Sequence, residues 1–305
     1  MGAKTKIDWC DSSFNPVTGC YHGCEYCYAR NIATRFAGRT PEIDLNDYYE
    51  TEKHGLDVDW GSSPSDTSDI LPMIAIDKPQ LRKSKNGNLT SAPYPFGFIP
   101  TFHRYKLNEL QKWKKPKVIF VGSMTDLFAE YIPKEWITDV LNACRAAPQH
   151  TYLFLTKNPW GYDYRLDGAT RNMHFGVSVT NNQQLNTAFA SNSSWLSIEP
   201  ILEELTSEYF EDDYFEEARW DWIVIGAETG NRKGKVIPKK DWVMKIVDKC
   251  QNHYHWKRTP IFMKESLRGI MGDDFRQEFP WEVIHNARSC RCFSAYQRQM
   301  ACSKV

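Results

Sequence analysis

The chain has 305 residues, enough for one large domain or two small ones, and 41% are hydrophobic, which is compatible with a substantial core. Lysine and arginine number 38 and aspartate and glutamate 38, so a net charge of zero gives no overall attraction to nucleic acid or to an anionic membrane. No run of about 18 apolar residues marks a membrane span, and the opening Met1-Gly2-Ala3-Lys4-Thr5-Lys6 has neither an apolar signal region nor, with Lys6 where Ser or Thr is needed, a myristoylation pattern.

The expected compartment is therefore the cytoplasm. Nine cysteines without an export signal read as metal or thiol chemistry rather than as a disulfide framework. The first predicted element is a strand leading into Cys20. Three cysteines follow in Gly19-Cys20-Tyr21-His22-Gly23-Cys24-Glu25-Tyr26-Cys27-Tyr28, with the spacing C-x3-C-x2-C. A helix is predicted from the last cysteine, because Tyr28, Ile32 and Phe36 recur every four residues with Ala29 and Ala33 beside them. Gly38 and Pro41 would end it.

Three thiolates on one tight loop can hold three irons of a [4Fe–4S] cluster, whose usual ligand count is four cysteines. The fourth iron is then open to a small molecule, by the logic that leaves a catalytic zinc one free position. Zinc is the competing ligand, with His22 or Cys10 as a fourth donor, but zinc sites are built from paired C-x2-C knuckles. Only Cys24 and Cys27 form such a pair in this loop. Plain thiols are the third reading.

Residues 41–97 differ in character. Turn formers such as Gly61-Ser62-Ser63-Pro64-Ser65 and Asn86-Gly87-Asn88 dominate, apolar periodicity is weak, and a structureless loop this long is unusual in a compact domain. The segment reads as an insertion that packs as a lid or is partly disordered. Its basic stretch from Lys78 to Lys85, and a second from Arg104 to Lys117, read first as solvated faces.

From residue 98 a regular alternation begins. A strand is predicted near Phe98-Ile99-Pro100. Further apolar runs are Val118–Val121, Tyr152–Leu155, Phe175–Val179, Trp195–Ile198, Trp222–Ile225 and Ile261–Met263. Between them lie helical stripes: Trp136, Val140 and Cys144; Leu185 and Phe189; Trp242, Ile246 and Cys250. Short, continuous apolar strands alternating with helices mean a parallel sheet with helices outside. About eight strands predict a (β/α)8 TIM-like or partly open barrel, with an open doubly wound sheet as the alternative. No G-x-G-x-x-G follows a strand and Gly234-Lys235 precedes Val236, so neither a dinucleotide fingerprint nor a P-loop is present. The predicted organisation is 1–40 for the first strand, cluster loop and helix, 41–97 for the insertion, 98–270 for the rest of the barrel, and 271–305 for a C-terminal extension.

Chemistry in α/β barrels gathers at the carboxyl ends of the strands. Those ends carry Gly122-Ser123-Met124-Thr125-Asp126, Thr156-Lys157-Asn158, Ser178 and Thr180, Glu199-Pro200, Gly226-Ala227-Glu228 and Lys264-Glu265. Polar side chains at nearly every end suit an interior polar pocket, although each alone can equally serve as a buried structural hydrogen bond.

The cysteine spacing, with aromatic Tyr26 before the last cysteine, resembles the cluster loop of the radical S-adenosylmethionine (SAM) superfamily. Asn15-Pro16-Val17-Thr18-Gly19-Cys20, continuing to Cys27-Tyr28-Ala29-Arg30, is similar to a poorly characterised, phage-associated and bacterial branch of it. The strand-end strings from Pro100-Thr101-Phe102-His103 through Lys264 resemble the same branch in order, so the likeness covers most of residues 7–265 apart from the insertion. Many members of that branch place the first cysteine further from the second. The resemblance implies a [4Fe–4S] cluster on Cys20, Cys24 and Cys27, and SAM cleaved reductively to a 5′-deoxyadenosyl radical that takes hydrogen from a substrate. It implies SAM contacts from Tyr26, Ser123, Asp126, Thr156, Lys157 and Ser178. Glu199, Glu228 and Lys264 are the implied catalytic set, the glutamates as SAM ligands or holding a cationic substrate, and Lys264, like Lys157, holding a carboxylate or phosphate. The superfamily's Gly-Gly-Glu string is missing. Thr101-Phe102-His103-Arg104 stands in its place, which leaves the SAM amine contact unassigned. An external one-electron donor of flavodoxin or ferredoxin type is implied, with a nucleobase, nucleotide or nucleic acid as the substrate class. The competing function is a non-catalytic zinc or iron–sulfur nucleic-acid module, and a third is a cluster used for electron transfer alone.

Other candidates weigh less. Cys290, Cys292 and Cys302 with His285 follow no strong metal spacing. Cys144 and Cys250 sit on apolar stripes and read as buried small hydrophobes, with Cys250, His253 and His255 a weaker metal candidate. The acidic run from Glu203 to Glu217 reads as a solvated face.

Overall fold

The computed structural model describes residues 5–37, 57–62, 70–84, 86–162, 169–191, 193–211, 220–251 and 258–280. The expected helix stop at Gly38 and Pro41, the group of His285, Cys290, Cys292 and Cys302, the pair His253 and His255, and residues 212–217 of the acidic run lie outside them. The chain divides into two compact units. One comprises Met1–Ser13, Trp113–Val121 and Ala147–Val305, the other Phe14–Lys112 and Gly122–Ala146. Among the described residues no helix is long and apolar enough to cross a membrane.

The strands are β1 (Ser12–Phe14), β2 (Val17–Thr18), β3 (Asp57–Ser62), β4 (Ile70–Ile76), β5 (Leu81–Lys83), β6 (Leu89–Ser91), β7 (Thr101–His103), β8 (Val118–Val121), β9 (Thr151–Thr156), β10 (Met173–Val179), β11 (Trp195–Ile198), β12 (Trp222–Ile225) and β13 (Ile261–Met263). Seven form one sheet in the order β1-β8-β9-β10-β11-β12-β13, and the ladders from β8 to β13 are parallel. The α/β class is thus the architecture of the chain. A closed eight-stranded barrel is not formed by the described residues, since β1 and β13 are the two edges of the sheet.

In a parallel sheet, residues in register point to the same face, and alternate residues along a strand share it. That rule sorts the first unit into rows. Leu155, Gly176, Trp195 and Trp222 are in register. Two residues on, Ser178, Ser197, Val224 and Phe262 form the next row. One further step reaches the strand ends at Glu199, Gly226 and Lys264. The first row is apolar, and the second sets two serines beside Val224 and Phe262. Trp9, Phe120, Trp195, Trp222, Phe262 and Phe279 build one buried cluster on this face, with Trp9 5.6 Å from Trp195 and 6.1 Å from Trp222. Each such ring removed from water contributes about 2–3 kcal/mol. The face therefore turns from aromatic to charged along the strand direction.

Gly176 exists because of that packing. A Cβ there would lie 2.4 Å from the Trp195 ring. The ring is itself held by an Nε1–H bond to the His174 carbonyl at 3.3 Å.

In the second unit β2, β7, β4 and β3 form a four-stranded sheet in that order. Here the sequence expectations need correcting. Phe98-Ile99-Pro100 is a turn, not a strand, because Pro93, Pro95, Pro100 and Gly97 at φ 64° break the ladder. The extended piece is β7, three residues on, fully buried and paired with β2 and β4. The 41–97 segment is not structureless either. It contains β3 and β4, and a separate β5–β6 hairpin that leaves Leu81 and Leu89 bare to solvent.

Helix α1 (Tyr28–Phe36) starts where expected, but its buried face is Ala29 and Ala33, while Tyr28 and Phe36 are exposed. Small residues let the helix backbone approach closely, and the large ones flank the contact. Helices α2 (Lys134–Arg145), α3 (Asn182–Phe189) and α4 (Lys240–Gln251) bury the predicted Trp136, Val140, Cys144, Leu185, Ile246 and Cys250.

Candidate functional site

The cysteine loop is fixed by its neighbours before any sulfur is considered. Gly19 adopts φ 92°, and a Cβ there would meet the Ile99 carbonyl oxygen at 2.3 Å, so only glycine passes this point. Gly19 donates its N–H to the Met124 carbonyl at 2.9 Å, and Cys20 donates to Phe98 at 3.1 Å. Thr125 Oγ1 donates to the Gly19 carbonyl at 2.6 Å. The Asn15 Oδ1 accepts from the Ser123 hydroxyl and the Met124 N–H. Arg30 reaches back to the Cys20 carbonyl at 3.2 Å while lying 4.8 Å over Phe98.

The thiols are free and half-buried. Cys27 donates its N–H to the Cys24 carbonyl at 3.2 Å, which closes a turn between the two. As the N-cap of α1 its Sγ accepts the Arg30 N–H at 3.3 Å. Cys20 Sγ accepts the Tyr131 O–H at 3.2 Å and the His22 N–H at 3.5 Å. Burial pushes the Cys20 thiol up to about 11, with the Tyr131 hydroxyl pulling the other way. Burial likewise raises the Tyr131 hydroxyl, and the adjacent Cys20 raises it further.

His22 and Asp126 form a pair that sequence reading missed, Nε2 to Oδ2 at 2.8 Å. Asp126 is buried, and its Oδ1 accepts the Phe128 N–H at 3.2 Å. Two of the expected SAM contacts thus serve the loop itself: Ser123 braces Asn15, and Asp126 anchors His22. Tyr26 lies half-buried in the turn before Cys27.

Among the described residues no three His, Cys, Asp or Glu side chains are gathered as a group able to hold a metal ion. Three soft sulfur donors within eight residues, two of them already receiving N–H or O–H bonds, fit an iron–sulfur cluster. Cys10, the alternative fourth ligand, belongs to the aromatic core of the first unit. Burial pushes its thiol far up.

In the first unit, Glu199 and Lys264 form an ion pair at the carboxyl ends of the strands. They sit at the ends of β11 and β13, two strands apart, about 9.6 Å by twice the strand spacing. Gly226 at the end of β12 lets them meet, since a Cβ there would lie 3.1 Å from both side chains. Burial alone would lower the Lys264 ammonium, but the carboxylates of Glu199 and Asp8 outweigh it and raise it. Asp8 also accepts the Glu265 N–H at 3.1 Å. Lys157 and Ser178 are half-buried at the carboxyl ends of β9 and β10, while buried Thr156 accepts the Asn158 N–H at 2.9 Å and shapes the turn.

Glu228 stands differently. Its carboxylate is 1% exposed and is clasped by Arg232 through two bonds of 2.7 and 2.8 Å, with the Val236 N–H at 3.3 Å. It pins the 228–236 loop. The Arg232 bond holds the Glu228 carboxyl below its ordinary 4.5. A lowered acid contributes stability that is present above the ordinary value and lost as pH falls through the lowered one. Glu228→Gln is expected to cost about 2 kcal/mol at neutral pH and to flatten the loss of stability below pH 4.5. Urea midpoints at neutral and acid pH measure this, and parallel pH profiles would refute it.

A family model described as a protein of unknown function (DUF5131) matches residues 4–66 and 80–286. No curated protein and no solved structure matches the chain.

Proposed function

The chain belongs to the DUF5131 family of unknown function, and from its own residues we propose that it is a radical SAM enzyme on a partly open α/β barrel. One observation carries the reading: three free cysteines at C-x3-C-x2-C on a loop whose backbone is pinned on both sides and whose sulfurs receive hydrogen bonds. When bound, a [4Fe–4S] cluster supplies the electron that splits S-adenosylmethionine into methionine and a 5′-deoxyadenosyl radical.

The chain's own residues then have separate tasks. Cys20, Cys24 and Cys27 would hold three irons. Tyr131 and the helix N-terminus at Cys27 supply donors to the sulfurs. At the carboxyl ends of β11 and β13, Glu199 and Lys264 offer one carboxylate and one ammonium, which suits a ligand carrying both charges. Lys157 and Ser178 add a cation and a hydroxyl at the ends of β9 and β10. Glu228, held by Arg232, positions its loop. The reading calls for an external one-electron donor of flavodoxin or ferredoxin type and takes a nucleobase or nucleic acid as substrate.

The test is anaerobic reconstitution with iron and sulfide, reduction with dithionite, addition of SAM, and detection of 5′-deoxyadenosine by mass spectrometry. A brown protein that forms it supports the enzyme. A brown protein that leaves SAM intact points to electron transfer alone. A colourless protein that retains zinc and binds nucleic acid with a steep salt dependence supports the non-catalytic module instead.

A further inference from the structure

The hydrogen bond from Tyr131 to Cys20 has a consequence beyond holding the loop. We propose that Tyr131 is a positioning residue that sets the reduction potential of the cluster, by donating its O–H to the sulfur of Cys20. This rests on the cluster reading above.

The geometry defines where the proton goes. The Tyr131 oxygen accepts the Tyr21 N–H at 2.9 Å, so that lone pair is occupied and the hydroxyl hydrogen is left for Cys20 Sγ at 3.2 Å. The ring is fixed on two sides. Tyr21 lies edge-on at 5.3 Å and His22 edge-on at 6.0 Å. Tyr21 is tied through its own hydroxyl to the Pro72 carbonyl at 2.5 Å, and His22 through its imidazole to Asp126 at 2.8 Å. A phenol held this way cannot swing aside, and it costs nothing to reorganise when charge arrives on the sulfur.

Hydrogen bonds to ligating sulfurs are among the factors that set cluster potentials. A donor aimed at a thiolate favours the more negative, reduced cluster and so raises its potential. It also makes the thiols unequal, because the donor at Cys27 is a backbone N–H of α1, whereas Cys20 receives the Tyr131 side-chain hydroxyl besides the His22 N–H.

The experiment is an EPR-monitored redox titration of reconstituted wild type, Tyr131→Phe and Tyr28→Phe. Tyr131→Phe keeps the ring and loses the hydroxyl. Tyr28→Phe is the control, since its hydroxyl bonds the Ser123 carbonyl at 2.5 Å. Tyr131→Phe is expected to cut the reduced-to-oxidised ratio at a fixed potential about tenfold, a fall of about 59 mV for one electron, with iron and sulfide per chain unchanged and Tyr28→Phe at the wild-type value. Equal potentials in wild type and Tyr131→Phe would overturn the inference and leave the cluster reading standing. Equal shifts in both variants would overturn it as well, as a general loosening of the loop. A wild type that takes up no iron–sulfur cluster would instead remove the reading on which it rests.

Discussion

Cys24→Ala is expected to strip the brown colour and to lower 5′-deoxyadenosine formation to the level of the reagent blank. Residues that only support a metal ligand cost about 10–100-fold in affinity or activity when changed, so loss of a ligand itself is expected to exceed a hundredfold. Of the three cysteines, Cys24 is the cleanest to remove. Its carbonyl, which accepts the Cys27 N–H, survives the change. Cys27→Ala would also delete the N-cap of α1, worth about 1 kcal/mol of helix stability, and Cys20→Ala would leave the Tyr131 hydroxyl without its sulfur. Iron, zinc and acid-labile sulfide are measured alongside turnover. If Cys24→Ala keeps both its colour and its product, the three-cysteine cluster is wrong. If wild type and variant are equally colourless and hold zinc, the metal-bound binding module takes its place.

The strands from β8 to β13 were legible because they are buried on both faces, which writes each as a short continuous apolar run such as Trp222-Ile223-Val224-Ile225. Strand β4 has the same signal in Met73-Ile74-Ala75-Ile76, all buried, but Pro72 and the turn formers on either side masked it. Phe98-Ile99-Pro100 misled for the opposite reason: apolar composition without a backbone free to pair. In the site, sequence spacing exposes what is local and hides what is not. Cys20, Cys24 and Cys27 are within eight residues, so their pattern is visible. His22 meets Asp126 across 104 residues, and Tyr131 meets Cys20 across 111, so neither contact has a sequence signature. Glu199 and Lys264 were visible singly as strand-end residues, yet their pairing depends on the register of three strands. The glycines were the overlooked clue. A glycine inside or at the end of an apolar strand marks close approach, and Gly176 and Gly226 mark the Trp195 ring and the Glu199–Lys264 bridge.

Gly176→Ala is accordingly expected to destabilise the protein by about 3 kcal/mol, the upper part of the range for overpacking a well-filled core. The added methyl would lie 2.4 Å from the Trp195 ring, and the ring has nowhere to go. It is bonded through Nε1 to His174 and packed 5.5 Å from Trp222 and 5.6 Å from Trp9. The strand must move instead, and Ser178 and the polar end of β10 move with it. Trp195→Leu alone empties part of the same layer and is expected to cost about 3 kcal/mol. The two changes together are expected to cost at least 1 kcal/mol less than their sum, because the smaller side chain admits the methyl. Urea unfolding of the four proteins gives that coupling directly. Strict additivity, or a Gly176→Ala cost under about 0.5 kcal/mol, would mean that the ring does not lie over the glycine. The row order that places Glu199, Gly226 and Lys264 side by side at the ends of adjacent strands would then lose its main support, because the same register fixes both.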